Sequence, residues 1–597
     1  MKVSEKIEQA IASGTPYFSL EFFPPKTEQG LVNLYDRIER MARLGPLFVA
    51  VTWGAGGATA QRTLELCGMC QSVFGIETVM HLTCTNMDKA MVDRALSEAK
   101  SAGIRNILAL RGDPPRGSEY WTACDGGFTH AADLVRYIRS QYQDYFCIGV
   151  AGYPEGHIEN ADKDADFAHF VDKVKAGADF VVSQLVYDHE LFVAWEKRCR
   201  ENGVDVPIVP GVLPIQSYQS FRRLVHLTKT EVPEELKTRV EEVKGNDQAI
   251  KDLGVEHAVD MVSKLHAAGI MGVHLTTLNL ESTVQRVLAT LGMAGSSSSS
   301  SGILRGGSTA SLGSQQALRS VAAAATTASA TVPTDSGLLA TKRVWDDFPN
   351  GRWGDARSPA FGSVDAYGAM LKFDPQGASS IWGRPQTVDD VSELFARYVS
   401  GEIPSLPWSD EPLLAETQRI RDELLRINKL GYWTLASQPA LDAVPSSDVT
   451  YGWGPRGGYI YQKAFVECFV PAQMFPAFLS RLQSASPRIT YYASNAQGDF
   501  ITNAHSSQSD TENATAVTAL TWGVFPGRAV VQPTLIDKMN FLAWRTEAFQ
   551  TWREWANMFA RDSSEARFLC GTADECWLVN VVDNEFKNPD AIWEMFR

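Results

Sequence analysis

The stretch FSLEFFPPKT, Phe18 to Thr27, sets one carboxylate, Glu21, in an otherwise apolar run with the two-residue period of a strand. Two prolines stop the run, since proline lacks the ladder donor and restricts the residue before it. A charge so placed asks for a use other than packing. Comparable polar groups close other strand-like runs: Thr52 and Trp53, His81 and Thr83, Arg111 and Asp113, Tyr153, Gln184, and Thr277 with Asn279. Arg111 and Asp113, flanking Gly112, can grip a phosphate and orient a polar ring edge; a local ion pair is the alternative. Each residue alone reads equally as a strand cap or a partner for a loop amide. Together they come from seven strands and converge on one mouth, which favours a site. Other chemistries lack support. There is no HExxH, Walker A or GxSxG, and no spacing suited to a metal. Cys67-Gly-Met-Cys70 falls inside a helical pattern without a second CxxC and reads as a packed helix face. GAGGAT, Gly54 to Thr59, is only a near match to a dinucleotide fingerprint.

The elements that must position these groups are regular. Strand-like runs at 18–23, 47–53, 77–83, 106–112, 147–153, 180–186, 207–213 and 272–279 alternate with helical patterns. Eight such units predict a (β/α)₈ barrel, whose catalytic groups sit at the C-terminal strand ends. A doubly wound sheet is the alternative, with usually fewer units and a glycine-rich first turn. Residues 294–342, rich in Ser, Ala, Gly and Thr, read as a largely disordered linker that is a plain tether or carries phosphorylation sites. Three of the fifteen tryptophans precede it and twelve follow, so the flanks are different domains. The second, 343–597, reads as α+β: a helix predicted over 412–431, strands over 457–470 and 519–534, and no nucleophile–base pair. With 597 residues more than one core is required. The net charge of −15 argues against nonspecific binding to nucleic acid or anionic membrane. Nine scattered cysteines do not form a disulfide framework. The N-terminus has neither an apolar signal core nor transit-peptide character, and no run is long enough to span a bilayer. A cytoplasmic location is expected.

The motifs SLEFFPPKT, VTWGAGG, HLTCTN, NILALRGDPP, GVAGYPEGH and PIVPGVLPI, in this order across almost all of 1–293, resemble the catalytic barrel of methylenetetrahydrofolate reductases. SLPWSDEPLLAET, TLASQPA, SSDVTYGWGPRGGYIYQKAF and TWGVFPGRAVVQPT resemble the regulatory domain of eukaryotic members, and the two-domain arrangement looks fungal. The resemblance implies FAD in the barrel mouth, reduced by NADPH (or NADH), and methylenetetrahydrofolate reduced in its turn. It implies a homodimer, with S-adenosylmethionine as feedback inhibitor. Glu21 is implied as the acid that protonates the departing ring nitrogen, with burial expected to raise its pKa. Asp113 is implied beside the isoalloxazine, where its charge tunes the flavin. Thr52, Trp53, His81, Arg111, Gly112, Asp113, His130, Ala131, Tyr153, His157, Asp166 and Lys173 match flavin-contacting positions, with Arg111 and Lys173 suited to the pyrophosphate. Gln184 matches a folate contact. Three positions depart from the family pattern: His130 replaces a common Tyr, Thr276 an aromatic used in stacking on substrate, and Leu280 an Arg near the substrate carboxylate. Thr276 and Leu280, at substrate positions, motivate a rival: a catalytically weakened paralogue serving as a regulatory or partner subunit. A flavin enzyme acting on another substrate is a second. Ser409, Leu414, Ala415, Glu416, Thr417, the run Thr434, Leu435, Ala436, Ser437 and Gln438, Thr521 and Thr534 match the effector site, where Glu416 suits a cationic ligand.

Overall fold

A computed structural model of the chain describes residues 1–54, 57, 59–84, 87–112, 127–157, 160, 162–244, 246–294, 355–361, 375–409, 412–413, 415–454, 456–504, 517–527 and 531–597. Eight parallel strands close into a barrel in sequence order. They are β1 (Tyr17–Phe22), β2 (Phe48–Val51), β3 (Thr78–Thr83), β4 (Asn106–Leu110), β5 (Cys147–Gly152), β6 (Phe180–Leu185), β7 (Ile208–Val212) and β8 (Gly272–Thr276). Alternation sorts the side chains. Phe18, Leu20 and Phe22 join the layer between strands and helices, while Tyr17 joins an inner cluster. That cluster, with Phe48, Val79, Leu108, Phe180 and Val209, is plugged below by Val3 and Ile7 of the helix Val3–Ala12. The bottom of the barrel is therefore apolar and filled, and its polar interior positions lie towards the other end. Glycine makes room for the plug: a Cβ on Gly272 would lie 2.1 Å from the Tyr17 ring. Cys67 and Cys70 are fully buried in the helix Ala60–Ser72, as a packed face requires, and burial pushes both thiols up.

The second domain holds two antiparallel sheets. One has five strands in the order β14 (Phe500–Thr502), β13 (Ile489–Asn495), β17 (Trp577–Asp583), β12 (Phe465–Val470), β9 (Trp433–Gln438). The other runs β10 (Leu441–Pro445), β11 (Tyr459–Gln462), β15 (Thr518–Val524), β16 (Val531–Ile536). Trp408, Trp433, Trp552 and Trp555 pack ring on ring in its core, which explains the tryptophan bias of this half. The helix expected over 412–431 divides into a 3₁₀ segment, Ala415–Ile420, and an α-helix, Arg421–Lys429. In a 3₁₀ turn residues three apart eclipse, so Thr417 and Ile420 are buried on one side.

The short segment Asp355–Phe361 joins the domains. Ala356 N and Arg357 Nη2 donate to Asn540 Oδ1 and Asp537 Oδ2 of the second domain at 2.7 and 2.9 Å. On the barrel side Thr27 Oγ1, Asn33 Nδ2 and Asn279 Nδ2 donate to the carbonyls of Ala356, Arg357 and Pro359 at 2.6, 2.7 and 3.0 Å. Lys26 and Glu547 add an ion pair. The expected linker lies outside the described residues from 295 onward.

Candidate active site

The alternation that sends Phe18, Leu20 and Phe22 outward sends Ser19 and Glu21 into the barrel. Parallel pairing of β1 with β8 sets Ser19 level with His274 and Glu21 level with Thr276. The His274 ring bridges β1: Nδ1 lies 2.8 Å from Ser19 Oγ and Nε2 lies 3.2 Å from Glu21 Oε2. His81, on β3, places Nε2 3.7 Å from the same oxygen. Thr276 Oγ1 donates to Glu21 Oε1 at 3.4 Å. The Glu21 carbonyl accepts from Thr277 N and Oγ1 at 3.3 and 2.7 Å, fixing the strand end. Asn279 clasps the next turn, accepting from Phe23 N at 3.0 Å and donating to Phe23 O at 2.8 Å.

The electrostatics correct one expectation. Burial does push the Glu21 carboxyl up. It is outweighed by the His274 hydrogen bond, the charges of His81 and His274, and the Thr276 hydroxyl, which bring it down to about 2. Glu21 is therefore a carboxylate held by imidazoles. His81 moves down to about 4, by burial reinforced by His274 and opposed by Glu21, so its ring is neutral at pH 7.

A second cluster forms on the strand ends β4 and β5. Arg111 Nη2 lies 3.4 Å from His157 Nε2, and His157 stands edge-on to Tyr153 at 4.9 Å. Asp166 Oδ2 accepts from His157 N at 2.9 Å. Lys173 Nζ donates to Ala151 O at 2.6 Å and lies 5.5 Å from the centre of the Tyr153 ring. Burial lowers Lys173 to about 8, with Asp166 opposing and Arg111 reinforcing. Gly112 takes φ +96°, a left-handed turn open to glycine. Trp53 is buried with Nε1 lacking a partner among the described residues, a donor left for an acceptor. Half-buried cations at Arg111 and Lys173, and an indole donor without a partner among the described residues, fit a group that is anionic at one end and polar at the other, as a flavin dinucleotide is.

The remaining candidates are more dispersed. Thr52 continues the β1–β2 pairing, donating from N to Phe22 O at 2.9 Å. His130 caps the helix Ala131–Tyr142; its exposed ring meets Thr129 Oγ1 at 2.9 Å, and Ala131 begins the helix. Gln184, exposed at the end of β6, accepts from Leu185 N at 3.0 Å. Leu280 is buried against Ala360 of the joining segment. Asp113 lies outside the described residues. Ser19 and His274 were not among the expected site residues. The signal existed, since His274 stands two residues before Thr276 and shares its face, but only the β1–β8 register sets it beside Glu21.

In the second domain most of the expected effector residues fall on four elements, the 3₁₀ segment, β9, β15 and β16, with Ser409 and Leu414 before them. Glu416 and Thr417 lie in the 3₁₀ segment, with Ala415 exposed at its start. The Thr434 hydroxyl accepts from Asn428 Nδ2 at 2.8 Å, and a bulge at Leu435 shifts the register between Thr434 and Ala436. Ser437 is buried on the same strand. Gln438 Nε2 donates to Leu520 O at 3.4 Å, tying β9 to β15, where Thr521 stands opposite Thr534. Ser409 accepts from Tyr398 OH at 3.1 Å, and Leu414 lies outside the described residues.

Comparisons with known proteins follow this division. A family model described as "Methylenetetrahydrofolate reductase" matches residues 6–292, and one described as "MTHFR, SAM-binding regulatory domain" matches 330–597. The chain is 40% identical to "Methylenetetrahydrofolate reductase 2" of Schizosaccharomyces pombe, covering 100% of both chains. It is 40% identical to "Probable methylenetetrahydrofolate reductase (NADH)" of Oryza sativa subsp. japonica, covering 99% of each. It is 32% identical to "5,10-methylenetetrahydrofolate reductase" of Pectobacterium carotovorum, over 48% of this chain and 95% of that one.

Proposed function

Since the chain belongs to the methylenetetrahydrofolate reductase family, we propose that it reduces 5,10-methylenetetrahydrofolate to 5-methyltetrahydrofolate on a flavin held in the barrel mouth. NADPH is the proposed hydride donor, S-adenosylmethionine the feedback inhibitor and a homodimer the working form, in the cytoplasm. The observation that carries the reading is Glu21, bonded inside the barrel by His274 and Thr276 with His81 at 3.7 Å, in a barrel where Arg111 follows β4 and Lys173 reaches the β5 carbonyl of Ala151.

Bound FAD supplies the hydride. The chain's own residues do the rest. Arg111 and Lys173 offset the pyrophosphate charge, while Trp53 Nε1, Tyr153, His157 and Asp166 orient the cofactor. Gln184, on β6 of the same rim, pairs with the pterin edge. Glu21 protonates the departing ring nitrogen, opening the five-membered ring to an electrophile that can accept hydride. The carboxylate of Glu416 and the hydroxyls of Thr417, Thr434, Ser437, Thr521 and Thr534 suit a cationic effector on the second domain. Inhibition requires that the effector bind one arrangement of the chain better than another.

The test separates the half-reactions anaerobically. In Glu21→Gln, bleaching of the flavin by NADPH survives within about twofold, while reoxidation by the folate falls at least ~100-fold, the size of a general-acid contribution. Equal loss of both rejects the acid role. In the unaltered chain, bleaching without recovery by folate would instead favour the regulatory paralogue that Thr276 and Leu280 suggest. Replacing NADPH by NADH reads donor preference, and sedimentation reads the assembly.

A further inference from the structure

We propose that His274 is the proton store of this site: the proton that Glu21 hands to the folate resides on His274 until the folate enters, and Ser19 fixes the ring for that purpose. The inference deepens the reading of Glu21 as general acid and rests on it.

The reaction needs a hydride and one proton, and a carboxylate by itself has no proton to give. Two imidazoles stand beside Glu21, and they differ. His81 lies 3.7 Å from Oε2, and its Nε2 has no hydrogen-bond partner among the described residues. His274 lies 3.2 Å from that oxygen and has an oxygen partner on each nitrogen, Ser19 Oγ at 2.8 Å being the second. Oxygen on both sides suits an imidazolium donating twice. The ring is also locked. It stacks on Phe48 at 6.0 Å and 16°, and the residue is 2% exposed. Among the described residues, His274, His81 and Thr276 are the side chains that meet the Glu21 carboxylate, at 3.2, 3.7 and 3.4 Å. Phe48 of β2 and Gly211 of β7, which also face His274, bring no titratable atom. A proton on His274 thus leaves through Glu21.

The transfer balances. The His274 Nε2–H bond breaks as an O–H bond forms on Glu21. That bond breaks in turn as N–H forms on the folate nitrogen, which keeps the electron pair of the ring C–N bond. The methylene carbon takes the hydride that the family's reaction supplies. The pair passes from zero net charge to −1 and regains a proton from solvent after product leaves. His274 acts through Glu21 and is a positioning and proton-holding residue.

Two measurements test this on the full-length flavin-loaded chain. In ¹⁵N-histidine spectra at pH 7, His274, assigned by its loss in His274→Gln, is protonated on both nitrogens; in Glu21→Gln it becomes neutral. A neutral His274 in the unaltered chain overturns the proposal whatever the variants do. In stopped flow, His274→Gln keeps flavin reduction by NADPH within about twofold and slows reoxidation by folate at least ~30-fold, between a minor perturbation and full loss of the acid. Lower pH restores part of the loss, because bulk protons then charge Glu21 directly. Ser19→Ala, which leaves the imidazole in place, slows the same step by several-fold. Folate reoxidation within threefold of normal in His274→Gln, with Glu21→Gln still defective, sinks the proton store and leaves the acid role standing. Normal reoxidation in Glu21→Gln removes both.

Discussion

At the residue scale the site is a small charge network, and its pH behaviour follows from the shifts. Glu21 drops from an ordinary 4.5 to about 2, so the folded chain gains stability from its carboxylate above pH 4.5 and loses it as pH falls through about 2. His81 drops from 6.5 to about 4. The unfolded chain therefore binds the proton first, and stability declines as pH falls from 6.5 towards 4. Both act in one direction, in adjoining windows. Melting temperatures measured from pH 7 to pH 2 are expected to show it: His81→Gln flattens the slope above about pH 4, and Glu21→Gln flattens the slope below about 4.5. A slope unchanged in both variants would mean that the network does not contribute to stability. Glu21 was legible because a charge interrupts an apolar alternation. His274 was not, since histidine in a strand is ordinary and its neighbour lies 253 positions away.

At the element scale, the seven-residue joining segment carries the contact between a strand end and a distant helix cap. Asp537 caps the helix Lys538–Asn557 by accepting from Asn540 N at 2.9 Å, and it follows β16, where Thr534 stands. Arg357 grips Asp537; two residues on, the Pro359 carbonyl is held by Asn279, which also clasps the backbone of Phe23, two residues beyond Glu21. Charge-assisted bonds of this kind contribute about 1.5–3 kcal/mol. Arg357→Ala is expected to leave folate reduction within about twofold and to weaken inhibition by S-adenosylmethionine several-fold, read as the shift in its half-inhibitory concentration. Unchanged inhibition would show that the domains communicate elsewhere. The 3₁₀ turn at Ala415–Ile420 is a second feature at this scale: periodicity predicted a helix there but could not distinguish its tighter first turns, which burial of Thr417 beside Ile420 selects.

At the scale of the whole molecule the two largest cores among the described residues, one wrapped around the barrel and one built on the tryptophan cluster, have no shared member. Each domain thus buries its own apolar surface, and the polar strap and the Lys26–Glu547 pair hold them in register. Because the strap lies at 355–361, cutting the chain at an inserted protease site near residue 320 leaves every one of these contacts intact. The cut protein is expected to retain folate reduction and its inhibition by S-adenosylmethionine, both measured before and after cleavage. Loss of inhibition alone would assign coupling to the continuity of the intervening chain.

The sequence by itself determined the barrel, a separate sheet domain after it and the polar residues that end the barrel strands. Strand period, helix period and polar strand ends are local properties, written within a few residues of one another. Only the tertiary structure decided what surrounds Glu21. Closure of the ring pairs the first strand with the eighth, and that register sets His274 and Ser19 below the carboxylate and Thr276 beside it. It also reversed the direction of the Glu21 shift. Burial can be inferred from an apolar run, but the hydrogen bonds and charges that outweigh it come from residues remote in the chain.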